Sequence, residues 1–108
     1  MITVEITAES IEWLEDLQSN EKSKVLSYIA ILEELGHKCG PPYAKPLKGH
    51  SNLYEITVNN YKKKFFRLFY SFVGDKAITF NGFTKTTDET PDQEIRKALS
   101  LKGEYLSE

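Results

Sequence analysis

Apolar and polar residues alternate from the start of the chain, where Ile2, Val4 and Ile6 interleave with Thr3, Glu5 and Thr7. A period of two predicts a short strand with one face turned to a core. The period then lengthens. Ile11, Leu14 and Leu17 recur at helical spacing behind Thr7, whose hydroxyl suits an N-cap. Ser19-Asn20 interrupts the pattern and supplies a second cap. Val25, Tyr28, Ile29, Leu32 and Leu35 then make the apolar stripe of a second helix, and Gly36 ends it. Two helices joined so tightly predict an antiparallel hairpin.

Gly40-Pro41-Pro42 reads as a loop, and Lys45-Pro46-Leu47-Lys48-Gly49 leads into sheet. Three strand patterns follow at Leu53–Val58, Lys64–Phe72 and Ile78–Phe83. Asn59-Asn60 and Gly74-Asp75 supply the turns between them. Thr90-Pro91-Asp92-Gln93 opens a last helix, with Thr90 as N-cap, Pro91 at the first position and Gln93 completing a capping box. Its packed face is Ile95, Ala98, Leu99 and Leu106. The predicted fold is α+β in the order β-α-α-β-β-β-α. It is a single domain over residues 1–108, with an antiparallel sheet, the helical hairpin on one face and a C-terminal helix.

Strand alternation sorts the side chains. Phe66, Leu68, Tyr70 and Phe72 form the more apolar face of the middle strand and are assigned to the hairpin. Phe65, Arg67, Phe69 and Ser71 take the open face. Leu53, Glu55 and Thr57 join the open face from the preceding strand. So do Thr79, Asn81, Phe83 and Lys85 from the following one, against Ile78, Phe80 and Gly82. On this reading Glu55, Arg67, Asn81 and Lys85 converge in one shallow cleft.

Composition sharpens that picture. Apolar content of 40% and charge of 28% describe an ordinary globular chain. Net charge is −2, yet between Lys45 and Lys85 eight basic residues face only Glu55 and Asp75, a local +6. The flanks are acidic. Positive charge interleaved with Tyr54, Tyr61, Phe65, Phe69, Phe72 and Phe83 suits single-stranded nucleic acid. It equally suits a packed sheet whose lysine-rich edges resist edge-to-edge pairing. An Arg67–Glu55 ion pair is the corresponding bland reading of the cleft. Cys39 is alone and no signal peptide or membrane span is apparent, so a cytoplasmic protein without disulfides is expected. His37-x-Cys39 lacks further ligands for zinc, and no metal or cofactor is called for.

The run Lys45-x-Leu47-x-Gly49, then Leu53-Tyr54-Glu55-Ile56 and Phe66-Arg67-Leu68-Phe69-Tyr70, resembles the RelE/ParE toxin superfamily. Phe80-Asn81-Gly82-Phe83-Thr84-Lys85-Thr86-Thr87, followed by Thr90-Pro91 and Glu94-Ile95, is similar to its phage-derived, HigB-like branch. The resemblance implies the toxin of a type II toxin–antitoxin system, a ribosome-dependent endoribonuclease acting on messenger RNA. Its implied partner is an antitoxin with a helix-turn-helix fold. It places Arg67 on the scissile phosphate and Lys85 beside it, with Lys45 and Lys48 approaching the RNA. Thr57, Asn81 and Thr86 depart from the family pattern, standing where Arg, His and Lys often occur.

RNA supplies its own nucleophile, the 2′-OH, so the protein has to align the chain, stabilise the phosphorane and move two protons. Arg67 suits the charge role. Lys85 suits charge sharing or proton donation, and Glu55 is the candidate base. Lys64, Asn81 and the rings Phe65, Phe69 and Phe83 are the remaining candidate RNA contacts. Two other readings use the same fold without this chemistry: a toxin that inhibits DNA gyrase, and a module that only binds an antitoxin.

Overall fold

The computed structural model describes residues 1–87 and 89–106. The hairpin helices are α1 (Ala8–Glu15) and α2 (Ser19–Leu35), preceded by strand β1 (Thr3–Glu5). Thr7 caps α1 as expected, its hydroxyl oxygen accepting from the Ser10 N–H at 3.4 Å. The second cap falls one residue earlier than read: Gln18 is the N-cap of α2, and its N–H donates to Glu21 Oε1 at 3.1 Å. A carboxylate three residues on serves this helix start better than either short side chain at Ser19-Asn20. Gly36 closes α2 at φ +57.

The sheet has five strands in the order β1-β5-β4-β3-β2, where β2 is Ala44–Pro46, β3 Tyr54–Tyr61, β4 Lys64–Val73 and β5 Lys76–Lys85. The short strand β2 went unseen in the lysine- and proline-rich approach, because three residues carry too little periodicity. It pairs antiparallel with β3, setting Lys45 opposite Glu55. The chain start returns to the far edge, where β1 pairs parallel with β5, Thr3 opposite Lys76.

Asn59-Asn60 is not a turn. Val58 opposes Phe66 while Tyr61 opposes Lys64, so β3 carries one extra residue there, a bulge. The reversal is made by Lys62 and Lys63, at φ +53 and +68. Positive φ at both central positions matches the twist of a two-residue hairpin, a conformation that Asn-Gly signals and Lys-Lys does not.

A second bulge changes the faces of β5. Leu68 opposes Gly82 and Tyr70 opposes Thr79, so β5 carries the extra residue. Before the bulge, Ile78 and Phe80 lie on the face away from the hairpin, and Thr79 turns toward α1; this reverses the faces assigned from strict alternation. After it, Gly82 faces α1 and Phe83 the opposite side, as expected.

Two cores result. Phe66, Leu68, Tyr70, Ile56 and Val58 pack beneath the hairpin against Leu14, Val25, Ile29 and Leu32. The other face is covered rather than open. There Leu53, Phe69, Ile78, Phe80 and Phe83 pack under α3 (Asp92–Leu106), which contributes Ala98 and Leu101, with Ile95, Leu99 and Leu106 at its margin. Each of these large side chains contributes about 1.5–3 kcal/mol when fully buried. The first carbonyl of α3 to accept is that of Pro91, from Ile95 N–H at 3.3 Å, so the helix starts one residue later than read and Thr90 does not cap it. Buried Lys102 donates to Ser51 O at 2.7 Å and fixes α3 to the loop before β3.

Candidate active site

Pairing places Thr57 of β3 directly across from Arg67 of β4, and Glu55 two residues further along β3. Arg67 thus reaches diagonally to Glu55, with Nε 3.4 Å from Oε1. Lys45, opposite Glu55 on β2, brings Nζ to 3.6 Å from the same oxygen. Thr90 Oγ1, released from capping, donates to Oε2 at 3.4 Å. Arg67 Nη1 donates to the Phe66 carbonyl at 3.1 Å, and its guanidinium carbon lies 5.9 Å from the centre of the Phe65 ring.

Burial gives the cluster its electrostatic character. Glu55 is 0% exposed and Arg67 2%. Isolated charges at such depth are costly, so the carboxylate needs its cations. Even so, burial outweighs the attraction of Arg67 and Lys45, and the Glu55 carboxyl is pushed above the usual carboxylate range. A guanidinium cannot discharge, so the cluster holds a fixed positive centre beside a carboxyl whose burial favours its protonated form.

The other expected site residues divide. Lys85 lies opposite Phe65, on the same sheet face as Arg67, and is half-buried. Lys48 is exposed in the turn between β2 and β3, upstream of Glu55. Phe65 is half-buried at the rim. Phe69 is fully buried with its ring 5.8 Å from that of Phe83, itself buried, so both belong to the core under α3. Asn81 is 2% exposed and donates to Glu94 O and Oε1, each at 3.2 Å. Lys64 points to the opposite face, where Nζ lies 2.9 Å from Glu21 Oε2 beneath the hairpin. The structure therefore gathers Lys45, Glu55, Phe65, Arg67 and Lys85, and places Lys64 and Asn81 elsewhere.

Tyr70 lies in the hairpin core, where burial pushes its phenol up. Thr57 is buried and donates to Pro42 O at 3.0 Å, holding the loop before β2 against the site. Thr90 is the member that periodicity missed, because its sequence context is that of an ordinary helix cap. Among the described residues, no group of three His, Cys, Asp or Glu is placed to hold a metal, and no helix is long and apolar enough to cross a membrane.

The family described as phage derived protein Gp49-like matches residues 12–102. No curated protein is significantly similar in sequence. Among solved structures, the isolated E. coli RelE toxin superposes with a TM-score of 0.65 at 11% identity, over 89% of this chain and 97% of that one. A double arginine-to-alanine mutant of E. coli RelE in the free state gives 0.67 at 11% identity, over 93% and 96%. The intact E. coli RelBE toxin–antitoxin complex gives 0.61 at 11% identity, over 82% and 100%.

Proposed function

The chain belongs to the phage-derived Gp49-like family and carries the RelE fold, and from that premise we propose that it is the toxin of a toxin–antitoxin pair that cleaves messenger RNA on the ribosome. One observation carries the reading. A permanently charged guanidinium sits beside a carboxyl raised above its usual range, on a sheet face bordered by Lys45 and Lys85.

In this mechanism the substrate 2′-oxygen attacks the adjacent phosphorus and the bond from phosphorus to the 5′-oxygen breaks. The products are a 2′,3′-cyclic phosphate and a free 5′-OH. Glu55 takes the 2′-OH proton, a task for which its raised pKa suits it. Arg67 holds two phosphorane oxygens, and Lys85 protonates the leaving oxygen. RNA entry requires Thr90 to release Glu55, since the two meet in the free protein. The partner in the cytoplasm is an antitoxin with a helix-turn-helix domain.

The depth of the ion pair favours a second reading. Glu55 and Arg67 are almost wholly enclosed, as in a structural pair, which fits a module that binds an antitoxin, or a gyrase-directed toxin without RNA chemistry. Expression in a bacterial host, with 5′-end mapping of abundant messages, separates them. Lys85→Ala and Arg67→Lys are the variants, with circular dichroism confirming their folds. New 5′-OH ends in the wild type, reduced on the order of 10²-fold or more in Arg67→Lys, support the ribonuclease. Growth arrest without new ends turns the assignment to a protein target, and no arrest turns it to the binding module.

A further inference from the structure

α1 and α3 approach β5 from its two faces, and β1 pairs with the outer edge of β5 only over Lys76–Ile78. Beyond that stretch a cavity of about 220 Å³ opens between the helices and the strand. Glu9, Glu12, Trp13 and Asp16 line it from the α1 side, Asn81 and Gly82 from β5, and Lys97 from α3. Helical spacing puts the three acids and the indole on one face, three or four residues apart. With Lys97 the lining carries a formal charge of −2.

Three features show what such a cavity is built to hold. The Trp13 ring lies flush on the strand, since a Cβ at Gly82 would come within 2.1 Å of Cε3, and it borders the cavity as a π-surface. Asn81 is 2% exposed; its Nδ2 is committed to Glu94, while its Oδ1 has no hydrogen-bond partner among the described residues. A buried carbonyl left in that condition calls for a donor, and this amide borders the cavity. The Tyr105 hydroxyl donates to Glu9 Oε1 at 2.7 Å and, with the charge of Lys97, holds that carboxyl below its usual range, which keeps Glu9 ionised at neutral pH.

We propose that this cavity receives the arginine side chain of a partner polypeptide. Carboxylates, an orphaned acceptor and an indole together ask for a flat cation rich in donors, which describes a guanidinium. The acids are spread around the rim and do not focus on a metal position. The volume lies below the roughly 300–1,000 Å³ of cavities that enclose small-molecule ligands, and suits one side chain. Beyond Phe80 the outer edge of β5 pairs with no strand among the described residues, and it offers backbone groups to the residues flanking that arginine. None of this depends on the ribonuclease reading, because it concerns binding to the free protein.

Trp13 is the single tryptophan, so its fluorescence reports the cavity directly. The probes are acetyl-Ala-Arg-Ala-amide, its citrulline and lysine analogues, and free L-arginine, titrated at fixed ionic strength. Saturable change is expected with the arginine peptide, at least tenfold weaker with citrulline and several-fold weaker with lysine. Free L-arginine should bind several-fold more weakly than the peptide, because it lacks the flanking amides that meet the β5 edge. Glu12→Gln with Asp16→Asn, both at exposed positions and checked for fold by circular dichroism, should weaken the arginine peptide at least tenfold. No saturable response, or citrulline binding as well as arginine, overturns the site. Equal binding of lysine removes the guanidinium preference, and equal binding of free L-arginine overturns the polypeptide source.

Discussion

Gly82→Ala tests how tightly α1 is seated on the sheet. The added Cβ would lie 2.1 Å from Trp13 Cε3, 2.3 Å from Cδ2 and 2.6 Å from Cζ3, well inside the 3.5–4.0 Å of ordinary carbon contact. The atoms it meets belong to a rigid bicyclic ring rather than a flexible chain end. Nor can α1 withdraw as a whole. Thr7 Oγ1 donates to Thr79 O at 2.8 Å, and Ser10 Oγ lies 2.8 Å from Phe80 O, anchoring the helix one turn away. The indole must leave its place, and overpacking of this kind costs about 1–3 kcal/mol. For a domain of this size that lowers Tm by on the order of 5–20 °C. Urea denaturation of wild type, Gly82→Ala, Trp13→Ala and the double variant completes a cycle. With the ring gone, the methyl meets space and the Gly82→Ala change should be neutral or slightly stabilising, since alanine is less flexible than glycine in a strand. Coupling of at least about 1 kcal/mol is expected. A single variant within about 0.5 kcal/mol of wild type, or equal costs in both backgrounds, refutes the argument.

Two further outcomes follow from the geometry. Glu55 has its folded-state pKa raised above the ordinary 4.5, so the fold binds its proton more tightly than the unfolded chain does. Its contribution is therefore present at acid pH and lost as pH rises through the folded value. Wild type should thus lose stability relative to Glu55→Gln as pH rises from about 4.5, and pH-stepped urea titrations in which it gains relative to the variant contradict it. Lys62→Asn with Lys63→Gly should stabilise the protein by about 1 kcal/mol or more by removing the left-handed penalty at two exposed positions. An unchanged or lower urea midpoint would show that the turn is not strained.

Much of the fold was legible because its long elements are strongly periodic. Phe66, Leu68, Tyr70 and Phe72 fell under the hairpin and Phe65, Arg67 and Phe69 on the other face, since β4 carries no bulge of its own. Ile78 and Phe80 were misplaced because one extra residue in β5 inverts the alternation, and a bulge leaves no fixed mark in sequence. Asn59-Asn60 has the composition of a turn and the role of a bulge, while the lysines beside it bend the chain. Arg67 and Glu55 were placed on one face from strand alternation, and the register that sets them diagonally together comes from the structure. Thr90 and Trp13 were not, because a capping motif and an aromatic residue on a helix each have a commoner explanation. Lys64 shows the limit of a charge stripe: one residue before Phe65, it faces Glu21 and the opposite side of the sheet.

The parallel pairing of β1 with β5 sets a clock on synthesis. Thr3 has no sheet partner until Lys76 has been made, and Thr7 and Ser10 wait for Thr79 and Phe80. At roughly 5–20 residues per second the interval is about 4–15 s, before the later residues have cleared the exit tunnel. Throughout that time β1 and α1 have only α2 to pack against, with the Ile2 N–H donating to Glu33 O. Closing so long a loop is also slow in refolding, because ordering entropy is lost before the contact compensates it. β1 and α1, made well before β5, are thus among the last parts of the molecule to find their final place.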